Sequence, residues 1–130
     1  MKQEDGTVTV FVVVFMVALL VVAGLVIDGG NVLAARREAA NVAESAARAG
    51  AQALDETTAR ATGAAHLSPA QARRDAQAYL DDNGYQGTVS LDGDTVLVTV
   101  TINQPLSILG VAGLADATVT GRGSARAIRG

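Results

Sequence analysis

Val8 to Ile27 reads "VTVFVVVFMVALLVVAGLVI", a run of twenty residues without a charged side chain. A helix rises about 1.5 Å per residue, so a run of this length covers roughly 30 Å, the hydrocarbon thickness of a bilayer. Valine is a mediocre helix former in water because its branched Cβ loses rotamer freedom. In lipid, however, every backbone N–H and C=O must be satisfied within the segment, and only a helix achieves that for a lone span. The run therefore predicts a transmembrane helix over 8–27, preceded by a short leader, 1–7. The competing reading is a secretory signal cleaved after "VAG" at Gly24. Its apolar stretch would be too long and "MKQED" is barely positive, so an uncleaved span is preferred.

What remains of the 130-residue chain must fold around a small core, because much of the 49% hydrophobic content sits in that run. There is no Cys or Trp, and both Phe lie inside the run, so the remainder has neither disulfides nor large aromatic anchors. Ten Lys plus Arg stand against thirteen Asp plus Glu with the signs interspersed. No basic face emerges, which argues against a nucleic-acid partner.

The run ends on Asp28, Gly29 and Gly30, the membrane exit. The plain reading of Asp28 is an interfacial acid that needs no partner; the functional one is a buried counter-ion in an assembly. The two glycines would allow a bend or a weakened turn. Lys2 is the only basic residue before the span, whereas Arg36 and Arg37 follow it closely. Taken literally, the positive-inside rule would put the C-terminal part in the cytoplasm.

A helical period then continues over 28–62, with Val32, Ala35, Ala39, Val42, Ala43, Ala46, Gly50, Ala53 and Leu54 on one face. The opposite face carries Arg37, Glu38, Asn41, Glu44, Ser45, Arg48, Gln52, Asp55 and Glu56, with Glu44–Arg48 and Glu56–Arg60 as supporting pairs four residues apart. Such small side chains gain little from burial but let a second backbone come close. Ala39, Ala43, Ala46 and Gly50 are thus a helix-packing seam, facing either the protein's own C-terminal domain or another molecule.

Residues 63–130 read as a small α+β domain. "LSPAQARRDAQAYLDDNG" predicts a helix over 69–82 with Ser68 as N-cap, Pro69 at N1, Gln71 closing a capping box and Asn83-Gly84 as the stop. Its buried face would be Ala72, Ala76, Tyr79 and Leu80. "TVSLDGDTVLVTVTIN" predicts a hairpin over 88–103 with Asp92 and Gly93 as its turn, and Val96, Val98, Val100 and Ile102 on one face. A last strand follows at about 116–127. The connector's Leu106, Ile108, Leu109 and Val111 are expected to cap the sheet's core, with an exposed docking patch as the alternative. His66 reads as a solvated loop residue, and the acids sit in turns or on exposed faces. No catalytic, cofactor-binding or metal-binding residues are therefore assigned, and an enzyme is not expected.

The stretch "GTVTVFVVVFMVALLVVAGLVIDGGNVLAARREAANVAESAARAGAQALD" resembles the N-terminal module of TadE/TadG-like proteins of the tight-adherence (Flp) pilus apparatus. The features that carry the likeness are a short leader ending in Gly, an apolar span closing on "DGG", and an Arg-containing helix running into "AESAARAGAQAL". The "PLSILG" connector and "VTGRGSARA" strand are similar to that family's ending, less specifically. The resemblance implies a pilin-like α+β fold: one N-terminal transmembrane helix continuing into a long Ala-rich amphipathic helix, then a second short helix and a small antiparallel β-sheet. It also implies a single-pass protein of the cytoplasmic membrane, N-terminus inside and C-terminal domain extracytoplasmic, which overrides the Arg36/Arg37 count. Its partners would be membrane lipid and other pilin-like or secretion-apparatus proteins, with a homo-oligomer allowed. Family members processed by prepilin peptidase are cut after a Gly and carry Glu at the fifth mature position. Cutting between Gly6 and Thr7 would place Phe11 there, so an anchored minor pilin or assembly factor is the preferred function. A generic membrane-tethered adhesin or stalk, or a secreted binding module if the N-terminal segment is removed, are the alternatives.

Overall fold

The computed structural model describes residues 2–52, 60 and 68–127. Its elements are α1 (Lys2–Gln52), α2 (Pro69–Asp82), β1 (Gln86–Asp92), β2 (Thr95–Gln104) and β3 (Ala117–Arg126). The three strands form one antiparallel sheet in the order β1-β2-β3. The α+β fold expected from the sequence is the one observed. Ala53, Leu54, the Glu56 partner of Arg60, the linker and His66 lie outside the described residues. The chain divides into two compact units, Met1–Leu33 with Gln104–Ala117, and Ala34–Asn103 with Thr118–Gly130.

In the first unit, the apolar half of α1 is long and apolar enough to cross a membrane, and its side chains are almost entirely exposed. A core helix of a water-soluble fold would bury a stripe of such residues; between Val8 and Ile27 only Gly24 is buried. The segment keeps its polar atoms to itself, as lipid requires: the Thr9 hydroxyl donates to the Asp5 carbonyl at 2.9 Å. At Gly29 and Gly30, where the sequence allows a bend or a weakened turn, α1 runs on as continuous helix. The leader, too, is helical from Lys2.

In the second unit the alanine stripe is the core. Ala39, Ala43, Ala46 and Ala47 are fully buried with Ala72, Ala76 and Leu80 of α2 and Val96, Val98 and Val100 of β2. Tyr79 is only partly buried against this cluster. The seam therefore faces the protein's own domain. A Cβ added at Gly50 would lie 2.8 Å from the Ala72 carbonyl oxygen and 3.3 Å from Val96 Cγ1. On β3, a Cβ at Gly121 would overlap the backbone of Ala39 and Ala40, and one at Gly123 the backbone of Ala43 and Glu44. Strand backbone thus rests directly on helix backbone. Across the same unit, Tyr85 Oη donates to Glu38 Oε1, and that bond, followed by burial, raises the Tyr85 pKa above its ordinary value. On the exposed face, Arg48 pairs with Glu44 as expected.

Two local readings need correction. Ser68 takes the extended N-cap conformation but makes no side-chain cap bond, and Gln71 instead donates to Asp75 Oδ1 at 3.0 Å. With Pro69 at N1 there is one fewer orphan N–H to satisfy, and the side-chain pair within the helix competes for Gln71. In the hairpin, Asp92 pairs with Thr95, so the two-residue turn is Gly93-Asp94. Gly93 alone has positive φ, +57°, which suits a type II′ turn with glycine first and not the Asp-Gly type I′ arrangement. The stop at Gly84 holds, with Tyr85 N–H donating to the Leu80 carbonyl and Gly84 N–H to that of Asp81.

Ala43→Leu, Gly50→Leu and Gly123→Ala each add bulk where backbone already touches backbone or side chain. Each is expected to destabilise the folded domain by roughly 1–3 kcal/mol. Thermal melting of the full chain in detergent checks this against Ser45→Leu on the exposed face, which should match the parent. A parental melting curve for all three seam variants would contradict the internal seam.

Candidate functional site

Asp28 is 1% exposed and is the one buried charged side chain among the described residues. It lies one helical turn beyond Gly24, at the end of the span. Neither sequence reading anticipated its partner, which belongs to its own unit. Oδ1 accepts from Ser107 N–H at 3.1 Å and Oδ2 from Leu109 N–H at 2.7 Å, while Ile108 N–H reaches Oδ1 at 3.3 Å and Oδ2 at 3.1 Å. One carboxylate thus holds three consecutive amides about eighty residues away in the chain.

Those amides open the connector between β2 and β3, which winds through a series of short-range backbone bonds. Gly110 N–H donates to the Leu106 carbonyl, Val111 to Ile108, Ala112 to Leu109 and Gly113 to Gly110. Gly113, at φ +87°, then lets Leu114 N–H return to the Leu109 carbonyl. This paired closure is the Schellman arrangement that ends helices. A wound turn leaves its first N–H groups without internal acceptors, and an anion placed there satisfies them and meets the positive end of the local dipoles. Asp28 acts as that cap from another element.

Gly24 completes the site. A Cβ there would sit 2.7 Å from Ile108 Cγ2 and 3.9 Å from Leu109 Cδ2, so the absence of a side chain makes the seat for the turn. The contacts of the connector within its own unit are with α1. Its Ile108 is 40%, Leu114 54% and Val111 90% exposed. An acid closing an apolar span and an uncharged connector rich in turn glycines were both visible in the sequence. Their complementarity, a spare anion and three spare donors, was the signal that could have joined them.

The other assigned positions play different parts. Gly6 and Thr7 lie within α1, with nothing near a Cβ built at Gly6. Gly29 and Gly30 likewise have nothing within reach of an added Cβ. Ala39, Ala43, Ala46 and Gly50 belong to the domain core, and Asp92 and Gly93 to the hairpin end. The site at Asp28 is a structural clasp formed by one carboxylate and backbone donors.

Hydrogen bonds to a charged acceptor are each worth about 1.5–3 kcal/mol net, so Asp28→Ala should weaken the docking of the connector by roughly 3 kcal/mol after allowing for coupling between the bonds. That corresponds to about a hundredfold more open connector. Limited proteolysis of the full chain in bilayer discs should then cut between residues 106 and 114 much faster, with Asp28→Asn intermediate. Equal cleavage of Asp28→Ala and parent would contradict the clasp.

Residues 6–53 match the family model described as putative Flp pilus-assembly TadE/G-like, so the match takes in the span, Gly24, Asp28 and the alanine stripe. No curated protein and no solved structure matches the chain. The resemblance read from the sequence is thereby shown over this segment: residues 6–53 are similar to the TadE/G-like Flp pilus-assembly family.

Proposed function

We propose that this protein is a single-pass, pilin-like component of a tight-adherence pilus or secretion apparatus, an anchored minor pilin or assembly factor without catalytic activity. The observation that carries the reading is the Tad match over 6–53 on a helix whose apolar half is exposed along its length. Because the alanine stripe is occupied by the protein's own domain, contacts with lipid and with other apparatus helices fall to that exposed half. The use of Gly24 and Asp28 as the seat of the connector favours a retained helix over a signal cleaved after Gly24, since cleavage would remove half of the seat. The N-terminus is cytoplasmic and the domain extracytoplasmic in this reading. Phe11, where a processed pilin would carry Glu, supports retention of Gly6 and a role outside the filament.

The chain has no native thiol, so Gln3→Cys and Ser90→Cys can be labelled in intact cells with an impermeant maleimide. Labelling of Ser90→Cys alone is expected, in a strain whose surface pili are lost on deleting the gene and restored by the full chain. Labelling of Gln3→Cys alone would overturn the orientation. Restoration by a form whose first 27 residues are replaced by a cleavable signal would overturn the anchored role. A mature species beginning at Thr7 would replace the assembly factor with a filament subunit.

A further inference from the structure

Resting on the reading of α1 as a membrane span, we propose that the connector turn over residues 106–114 is a second membrane-contacting element. Its Ile108, Val111 and Leu114 side chains enter the interfacial layer of the leaflet where α1 exits, and the occupant of this patch is lipid. Three observations on the same unit carry the inference. First, depth: Ile108 lies over Gly24, inside the apolar run and about 6 Å short of Asp28 along the helix axis. The turn is thus seated against the last helical turn of the span.

Second, composition and exposure point the same way. Residues 105–115, "PLSILGVAGLA", contain no charge, and the three large side chains it exposes, Ile108, Val111 and Leu114, belong to a turn seated at Gly24 within a span whose Leu20, Val21 and Leu25 are likewise exposed. Water is a poor medium for such a tip, and a lipid-facing surface already lies beside it.

Third, the backbone donors of the turn are already satisfied without water. Non-helical chain can enter the apolar layer only where its polar groups are satisfied within the protein. Every N–H from Ser107 to Leu114 has an acceptor: the first three use Asp28, and the remaining five use carbonyls of the turn itself. A solvated loop would have no need of this. Asp28 is accordingly the positioning residue of the element, since it supplies the three acceptors the turn cannot supply for itself.

The protein contains no tryptophan, so a single introduced one reports its own surroundings. The full chain carrying Val111→Trp, at the most exposed of the turn's three large side chains, is reconstituted into phosphatidylcholine vesicles with or without lipids brominated near the carbonyl end of the acyl chain. Leu20→Trp, within the span, is measured with lipids brominated deeper in the chain. Insertion predicts that both tryptophans emit in the blue and that both lose most of their fluorescence to brominated lipid. It also predicts that adding Asp28→Ala to Val111→Trp shifts its emission to the red and relieves its quenching. Quenching of Leu20→Trp without quenching of Val111→Trp would overturn the insertion and leave the span standing. A blue but unquenched Val111→Trp would overturn it in favour of a protein partner or second copy on the patch. Absence of quenching at both positions would overturn the span and the insertion together.

Discussion

A wound turn that lacks a preceding helix has three amides with nothing to bond, and at the end of the apolar span this chain places a carboxylate against them. The interaction between Asp28 and residues 107–109 decides where the connector goes. Without it, an uncharged, apolar connector would have no polar anchor on the span. With it, the connector seats on α1 over Gly24 and leaves Val111 almost fully exposed. A buried acid at a membrane exit would otherwise be costly. Here the cost of taking Asp28 out of water is offset by donors that would themselves be costly if left unpaired.

The domain solves a different problem, a core with little bulk. Its largest fully buried side chains are Leu80 and three valines of β2, and most of the remainder is alanine. Burial of methyl groups gives modest hydrophobic energy, so the structure relies on the number of close contacts, with Gly121 and Gly123 bringing strand backbone onto helix backbone. Packing of this kind is sensitive to added volume and tolerant of little else. It accounts for the long alanine stripe without requiring an intermolecular seam.

Much of this was legible in the sequence where local chemistry decides the outcome. The second helix falls on its predicted limits because proline at its start and Asn-Gly at its end act within a few residues, and the valines at 96, 98 and 100 alternate because the sheet has one buried face. Readings failed where a distant group won. Gln71 prefers Asp75 to the cap, and the hairpin turn is shifted by one residue from the Asp-Gly pair, with Asp92 paired to Thr95. The seam was visible but its partner was not, since the glycines of β3 carry no signal until the strand is laid on the helix. Asp28 was singled out for its position; the use of its acceptors depended on a turn far along the chain, beyond the reach of spacing or periodicity.

Amide hydrogen exchange of the isotope-labelled full chain in bilayer discs, resolved at Ser107, Ile108 and Leu109, tests the clasp most directly. The clasp predicts that these three amides exchange slowly in the parent and approach the rate of an unprotected loop in Asp28→Ala, while the amides of Val96, Val98 and Val100 in β2 keep their protection. Fast exchange at 107–109 in the parent, or protection there that survives Asp28→Ala, would contradict it.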